Sequence, residues 1–475
     1  MYFYDSTTAN SKQSTKGKRT RERILNAGKK AFTQQPYSEA SVRKMQQAGD
    51  FNYALIRYYF GSKKGLFEAV AMELANDCIE HAMPLVAVFS TNQNPVAVLP
   101  DFIGSLLDYY FDNPEAPGMI MFNIGASRQS STHKQSHADL PGITALQQYI
   151  YSLLGVFQHA FPLSLSREIA TDWAIVFSFL SANGIGAARF HAAKLGLAPD
   201  SREYRNWVKE AVLQIFEPVF EAKCKAESEA DNTGNNPTDP MISAKNKNNY
   251  ISPRQIREKQ KAPPQTKGEI SRNKILEAAR QVFTRYPYKT ASIRKIGQEG
   301  GFDFTLVHHY FPTKRSLAEA VAENFYDDFF KMTTTWISGM SQLNLKHIGL
   351  YRGLSSFIDH CVDFYFSSPS SLAMVMQNIG QPEQLDGVPG FKASQKFYKE
   401  LTDFMTFLLP LEAPKETVQK WHYCLTMLIN NFVGAPGYPA QLLNMDPNGP
   451  QYRQWVKDAL VNIFYPSLRK MIAEK

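Results

Sequence analysis

The sequence predicts an all-α protein built from two copies of one unit. Three observations carry that prediction: a long stretch near the N-terminus recurs later in the chain, its apolar residues fall at helical intervals in both places, and the remainder of each copy reads as successive helices. The recurrence decides the organisation. RERILNAGKKAFTQQPYSEASVRKM from Arg21 aligns with RNKILEAARQVFTRYPYKTASIRKI from Arg272, an offset of 251 residues that holds without a gap to Val70 and Val321. The match continues with small shifts. FDNPEAPGMIMFNIG from Phe111 pairs with FSSPSSLAMVMQNIG from Phe366, and Asp172-Trp173 with Lys420-Trp421. YRNWVKEAVLQIFEP from Tyr204 pairs with YRQWVKDALVNIFYP from Tyr452. Each unit is far longer than a solenoid repeat, so the chain reads as a fused pair.

The first predicted helix of each copy has Ile24, Leu25, Gly28, Ala31 and Phe32, or Ile275, Leu276, Ala279, Val282 and Phe283, on one face. Pro36 and Pro287 end it. Ser41 and Ser292 are suited to cap a short second helix, whose Val42 and Met45, or Ile293 and Ile296, point inward. Gly49 and Gly300 mark a tight turn. In the third helix Ile56 and Phe60 lie four apart, as do Val307 and Phe311, so they share a buried face. Short helix, glycine turn and short helix make a helix-turn-helix.

With that face buried, the third helix presents Ala54, Arg57 and Tyr58, led by Asn52 and Tyr53. Its counterpart presents Thr305, His308 and His309, led by Asp303 and Phe304. Such side chains can contact base edges and phosphates from the major groove, with Arg43 and Arg294 of the second helix beside them. Ser62 and Thr313 read as N-caps of a fourth helix, with Lys63 and Lys314 placed to reach phosphate at its start. The stretches KQSTKGKRTRER and QTKGEISRNK supply further cations ahead of each head. Taken singly, aromatic residues at helical spacing are core and lysines at a helix start are solvated. The whole pattern appearing twice is what points to double-stranded DNA as partner.

Both segments resemble the DNA-binding domain of the TetR (tetracycline-repressor) family of bacterial transcriptional regulators. The RILNAGKKAF helix, SVRKM and the stretch from Gly49 through IRYYFGSKKGL carry the resemblance, with their partners from Lys274 to Leu317. The first copy departs in having Asp50 where the family commonly has a turn glycine, which the second keeps as Gly301. Arg57 and His308 stand where the family often has tyrosine, so its base preferences do not transfer.

The resemblance implies that the remainder of each copy is a helical domain that binds a small effector, here of unknown identity. It also implies pairing through the last two long helices, those from Asp172 and Tyr204 and from Lys420 and Tyr452. Family members pair as homodimers with heads about 34–36 Å apart on DNA. Here the two copies are expected to pair within the chain, as an intrachain pseudo-dimer. The expected boundaries are an N-terminal arm at 1–16, head domains at 17–66 and 267–317, helical domains at 67–225 and 318–475, and a linker at 226–266. The linker is polar and rich in Asn and Pro, and reads as disordered with a root-mean-square span of about 35 Å. ANGIGAARFHAAKLG from Ala182 reads as continuing helix, whereas Pro436 and Pro439 should stop the matching helix earlier, so the two effector pockets should differ.

Composition bounds the rest. A chain of 475 residues exceeds what one core usually serves, and 44% hydrophobic with 20% charged residues is ordinary for a globular protein. A net charge of +8 favours an anionic partner. Cys78, Cys224, Cys361 and Cys424 are scattered and suggest a reducing compartment. MYFYDSTTAN has no apolar core of a secretion signal, and WAIVFSFLSANGIGA from Trp173 is too short to span a bilayer. A cytoplasmic, nucleoid-associated protein without membrane contact is expected. No Walker loop, nucleophile elbow, zinc spacing or acid/base pair is apparent. His133 and His137 lie in a Ser-rich looped segment, so no catalytic residue, cofactor or metal is expected. The expected function is a sequence-specific regulator, a repressor by family resemblance, on an operator with unequal half-sites. The alternatives are an architectural or cell-division DNA binder, or an interaction module that no longer binds DNA.

Overall fold

The apolar spacing that predicts the first helix of each copy is the spacing of its buried face: Ile24, Leu25 and Phe32 in one, Ile275, Leu276, Val282 and Phe283 in the other. A computed structural model describes residues 15–89, 94–124, 140–160, 165–233, 266–286, 288, 290–342, 349–367, 379, 390–408 and 412–472 of the chain. The chain is all-α, with no sheet among the described residues. Most of the expected arm and linker, and the pair His133 and His137, lie outside those residues. No described helix is long and apolar enough to cross a membrane.

Copy one begins with the head helices α1 (Thr15–Phe32), α2 (Val42–Gly49) and α3 (Tyr53–Phe60). It continues through α4 (Lys63–Phe89), α5 (Pro95–Asp112), α6 (Glu115–Ile124), α7 (Ile143–Ala160), α8 (Arg167–Ser181), α9 (Ala188–Leu195) and α10 (Arg202–Thr233). Copy two repeats the head as α11 (Lys267–Arg285), α12 (Ile293–Gly300) and α13 (Phe304–Tyr310). Then come α14 (Lys314–Gln342), α15 (Leu350–Ser367), α16 (Phe391–Leu408), α17 (Lys415–Ile429), α18 (Gly437–Leu442) and α19 (Pro450–Met471). Two expectations shift. The basic stretches ahead of each head are largely the opening turns of α1 and α11, and α10 runs on past residue 225 to Thr233.

The helix expected to continue from Ala182 does not. In both copies it widens into a π-helical turn, Ala182–Gly186 and Asn430–Gly434. The cause is local and repeated. Asn183 Nδ2 donates to the Phe179 carbonyl and Asn431 Nδ2 to that of Met427, both at 2.7 Å. The hydroxyls of the buried Tyr204 and Tyr452 then donate to Gly184 and Phe432 carbonyls that the widened turn releases, at 2.6 and 2.8 Å. The prolines alter only the helix beyond that turn, leaving α18 shorter than α9.

Helices α8 and α10 of copy one lie against α17 and α19 of copy two. A continuous apolar core includes Phe157, Phe216 and Phe220 from one copy with Trp421, Phe464 and Leu468 from the other. Phe179 meets Phe432 edge-on at 5.8 Å, and Trp207 meets Tyr423 at 5.0 Å. Polar contacts cross the same seam. Lys420 Nζ pairs with Glu210 at 2.5 Å, Gln214 Nε2 donates to the Thr417 carbonyl at 2.7 Å, and Lys470 pairs with Glu221. The segments beyond the π turns also reach across: Tyr438 donates to the Pro141 carbonyl at 2.7 Å, and Phe190 packs on Phe391.

Asp172 sits in this seam, its carboxylate accepting from the Trp455 indole N–H at 2.7 Å. Burial, with Glu168 and Asp458 nearby, pushes its carboxyl up to about 6, although the indole bond opposes the rise. A carboxyl whose folded pKa is raised holds its proton longer folded than unfolded, so stability falls as pH rises from about 4 to about 6. Asp172→Asn keeps an acceptor for Trp455 and removes the charge. It should stabilise the fold at pH 7–8 by up to about 3 kcal/mol and have little effect near pH 4, read as Tm against pH.

Candidate nucleic-acid interface

Each head is held by its own small core, Phe32, Met45, Ile56, Leu66 and Phe67 in one and Phe283, Ile296, Val307, Phe311 and Leu317 in the other. Ser41 Oγ and Ser292 Oγ accept from Lys44 N and Lys295 N, capping α2 and α12 at 3.4 and 3.3 Å. Arg43 and Arg294 project exposed from those first turns. The left-handed residue of the turn is Asp50 (φ 48°) or Gly301 (φ 66°), not Gly49 or Gly300. Those two glycines close the helix because a Cβ there would lie 2.4 Å from the Phe51 ring or 1.9 Å from that of Phe302.

Asn52 caps α3 by accepting from Ala54 N at 3.1 Å, and Asp303 caps α13 by accepting from Thr305 N at 2.7 Å. The outward face of α3 carries Tyr53, Ala54, Arg57 and Tyr58, the last 77% exposed. The outward face of α13 carries Phe304, Thr305, His308 and His309, all exposed. The structure thus brings the expected contact residues of α3, and those of α13, onto one helix face in each head. They are not equally free there. The Thr305 hydroxyl donates to Asp303 at 2.6 Å, His308 Nδ1 lies 3.4 Å from the Pro312 carbonyl, and the Arg294 guanidinium sits 6.0 Å above the Phe304 ring.

Lys63 and Lys314 depart from expectation. Lys63 Nζ donates to the Tyr37 carbonyl at 2.5 Å and lies 4.4 Å over the Tyr37 ring. Lys314 Nζ donates to the Tyr288 and Ala291 carbonyls at 2.8 and 3.0 Å, 4.4 Å over the Tyr288 ring. Partial burial lowers the pKa of both ammonium groups. These lysines therefore tie the helix after the reading helix to the loop after the first helix. The caps beside them form as expected, with Gly65 N donating to Ser62 Oγ and Ser316 N to Thr313 Oγ1, each at 3.0 Å. Sequence reasoning missed a second brace. Arg21 lies 5.1 Å over the half-buried Phe60 ring and Arg272 5.2 Å over that of Phe311, a cation–π contact repeated at the same offset.

The profile of the bacterial regulatory proteins of the tetR family matches residues 24–70 and again residues 275–321, which are the two heads just described. Both heads of the chain are tetR-family DNA-binding units. The chain carries the family's DNA-binding unit twice in tandem and is a DNA-binding transcriptional regulator. No curated protein matches the chain.

Behind the first tetR head lies a half-open pocket, about 680 Å³ of empty space with the adjoining solvent counted. Its wall is mostly apolar, including Phe67, Leu74 and Cys78 of α4 and Met119 and Ile120 of α6. Hydroxyl-bearing residues interrupt it: Tyr110 and Tyr149, bonded to each other, and Ser178 and Ser181. Ser181 Oγ is buried without a partner. Tyr438 of copy two closes part of the same wall. Packing and a hydrogen bond tie α6 to the head. Met119 belongs to the head core, and Asn123 Oδ1 accepts from Tyr37 N at 2.9 Å.

The two heads differ where α3 or α13 passes into the next helix. A Cβ on Gly65 would lie 1.9 Å from the Phe60 carbonyl oxygen, whereas copy two accommodates Ser316. An alanine inside a helix is ordinarily worth about 1 kcal/mol over glycine. Gly65→Ala should instead destabilise the first head by about 2 kcal/mol or more, seen by thermal melting, because the clash is with backbone. Lys63→Ala should lower Tm, with a loss of about 1.5–3 kcal/mol for a charged hydrogen bond, and leave the salt dependence of DNA affinity unchanged. A salt slope reduced by about one with an unaltered Tm would return Lys63 to phosphate contact.

Proposed function

We propose that the chain acts as a pseudo-dimer, its two heads gripping one duplex and reading an operator with two unequal half-sites. The observation that carries this reading is the pairing of unlike reading faces with a common helical bundle. Arg57 and Tyr58 occupy in one head the positions that His308 and His309 occupy in the other. The residues proposed to touch DNA are Ser41, Arg43, Asn52, Tyr53, Ala54, Arg57 and Tyr58, with Ser292, Arg294, Asp303, Phe304, Thr305, His308 and His309. Arg57 is suited to bidentate contact with a guanine edge, which a histidine cannot reproduce. Lys63 and Lys314 leave that set and act as positioning residues.

In this reading the protein is a repressor associated with the nucleoid and released by a small molecule held in the copy-one cavity. The shared wall supports that. Helix α4 begins beside the reading helix and lines the cavity farther along, and α6 touches both the head core and the cavity. A ligand that spreads these helices would shift the head they carry, and DNA and ligand would then weaken each other reciprocally.

Selection of bound sequences from random DNA by the full-length protein tests the reading. The expected product is one site of two dissimilar halves, centred about one helical turn apart. In a matched selection, Arg57→Ala should relax preference in one half only, at a cost of about 1–3 kcal/mol for its best site, and His308→Ala in the other half. Enrichment of a perfect palindrome, or of no sequence, would overturn it.

A further inference from the structure

Were the two copies alike, the two halves of their shared seam would carry the same contacts. The correspondence that pairs Asp172 with Lys420 and Tyr204 with Tyr452 shows that they do not. On one side of the seam His191 Nδ1 lies 2.7 Å from the Tyr423 hydroxyl, with both residues at most 2% exposed. On the other side the corresponding residues are Pro439 and Ile175, which make no demand for a polar partner. The same division recurs one turn away. Lys420 meets Glu210 at 2.5 Å, while opposite them stand Asp172 and Asp458, with the Trp455 indole N–H on Asp172.

These substitutions have a direction. At the same helix crossing, a pair made of two first copies would set His191 against Ile175 twice, leaving two buried imidazoles without the hydroxyl. It would also set Asp172 against Glu210 twice, carboxylate facing carboxylate. A pair made of two second copies would set each buried Tyr423 hydroxyl against Pro439. Its charges would be compatible, Lys420 facing Asp458, so rejection there rests on the hydroxyl alone. The mixed pair meets both demands on one side of the seam and places Asp172 near Asp458 only once, on the other. Leaving a buried polar group unmet costs about as much as one to two tenfold steps in an equilibrium constant.

We propose that His191, Tyr423, Asp172 and Lys420 are specificity determinants of the seam, which make the first copy accept the second and reject another copy of itself. This rests on the reading that the two copies pair within the chain. It gives the asymmetry a use during synthesis: the first copy is complete before the second exists, and neighbouring nascent first copies would otherwise pair with one another. The seam keeps that surface open for its intended partner.

The test is to place a protease site within residues 234–265 of the full-length protein, cut it after folding, and follow the fragments by native mass spectrometry during long incubation. The mixed pair is expected to persist as the dominant species, with first-copy self-pairs the rarest. The uncut variant carrying His191→Leu, Tyr423→Phe and Asp172→Asn is then cut in the same way. Its first-copy self-pairs should rise about tenfold or more. Should that variant fail to fold, the native chain alone decides. Native fragments that stay paired but redistribute to the statistical mixture overturn this inference while leaving pairing in place. Fragments that separate and remain single overturn the pairing reading and the inference with it.

Discussion

The structure depends on burial of the apolar faces of four helices, two from each copy, against one another. Each fully buried side chain such as Phe216, Phe464 or Trp421 contributes about 1.5–3 kcal/mol relative to exposure, and the seam places many of them in one continuous core. Neither copy could leave that face in water. The covalent connection raises the effective concentration of one face for the other to about the millimolar range, so the partner nearest at hand is in the same chain. Apolar burial supplies the attraction. The polar groups in the seam decide which partner is satisfied by it.

From that seam outward the two copies keep one architecture and change its details. The π turns are common to both, each fixed by an asparagine that bonds back into the preceding helix and a tyrosine from the last helix that takes up a released carbonyl. The heads keep their cores, caps and inward lysines. What differs is what faces outward: an arginine and an exposed tyrosine in one reading helix, two histidines in the other. Scaffold and reading surface have therefore diverged independently, as expected when one is constrained by packing and the other by whatever it contacts.

Much of this is legible in the sequence because it is local or periodic. The repeat is visible as a constant offset, the apolar spacing of the head helices and the Ser41, Ser62, Ser292 and Thr313 caps depend on residues within a turn or two of one another, and all are found. The features that escape a sequence reading depend on distant partners. The ammonium groups of Lys63 and Lys314 turn inward because carbonyls at Tyr37 and Tyr288 come to lie beside them, which no local pattern announces. The π turns escape a reading based on helical spacing because, besides a local asparagine, they need a tyrosine from the next long helix, 20 residues on, to take up a released carbonyl. Asp50 stands out in the sequence as a departure from glycine, but that the left-handed conformation falls on it and not on Gly49 needs the backbone itself. The bond between His191 and Tyr423 spans the two copies and cannot be read from either one.

The claim that one chain lays two unlike heads on one duplex is tested most directly by cleavage from a defined position. A DNA-cutting iron chelate attached at residue 58 of the full-length protein, bound to its selected site, should cut one half-site only. The complex should contain one chain per duplex by mass. Equal cutting in both halves, or two chains on each duplex, would contradict the account.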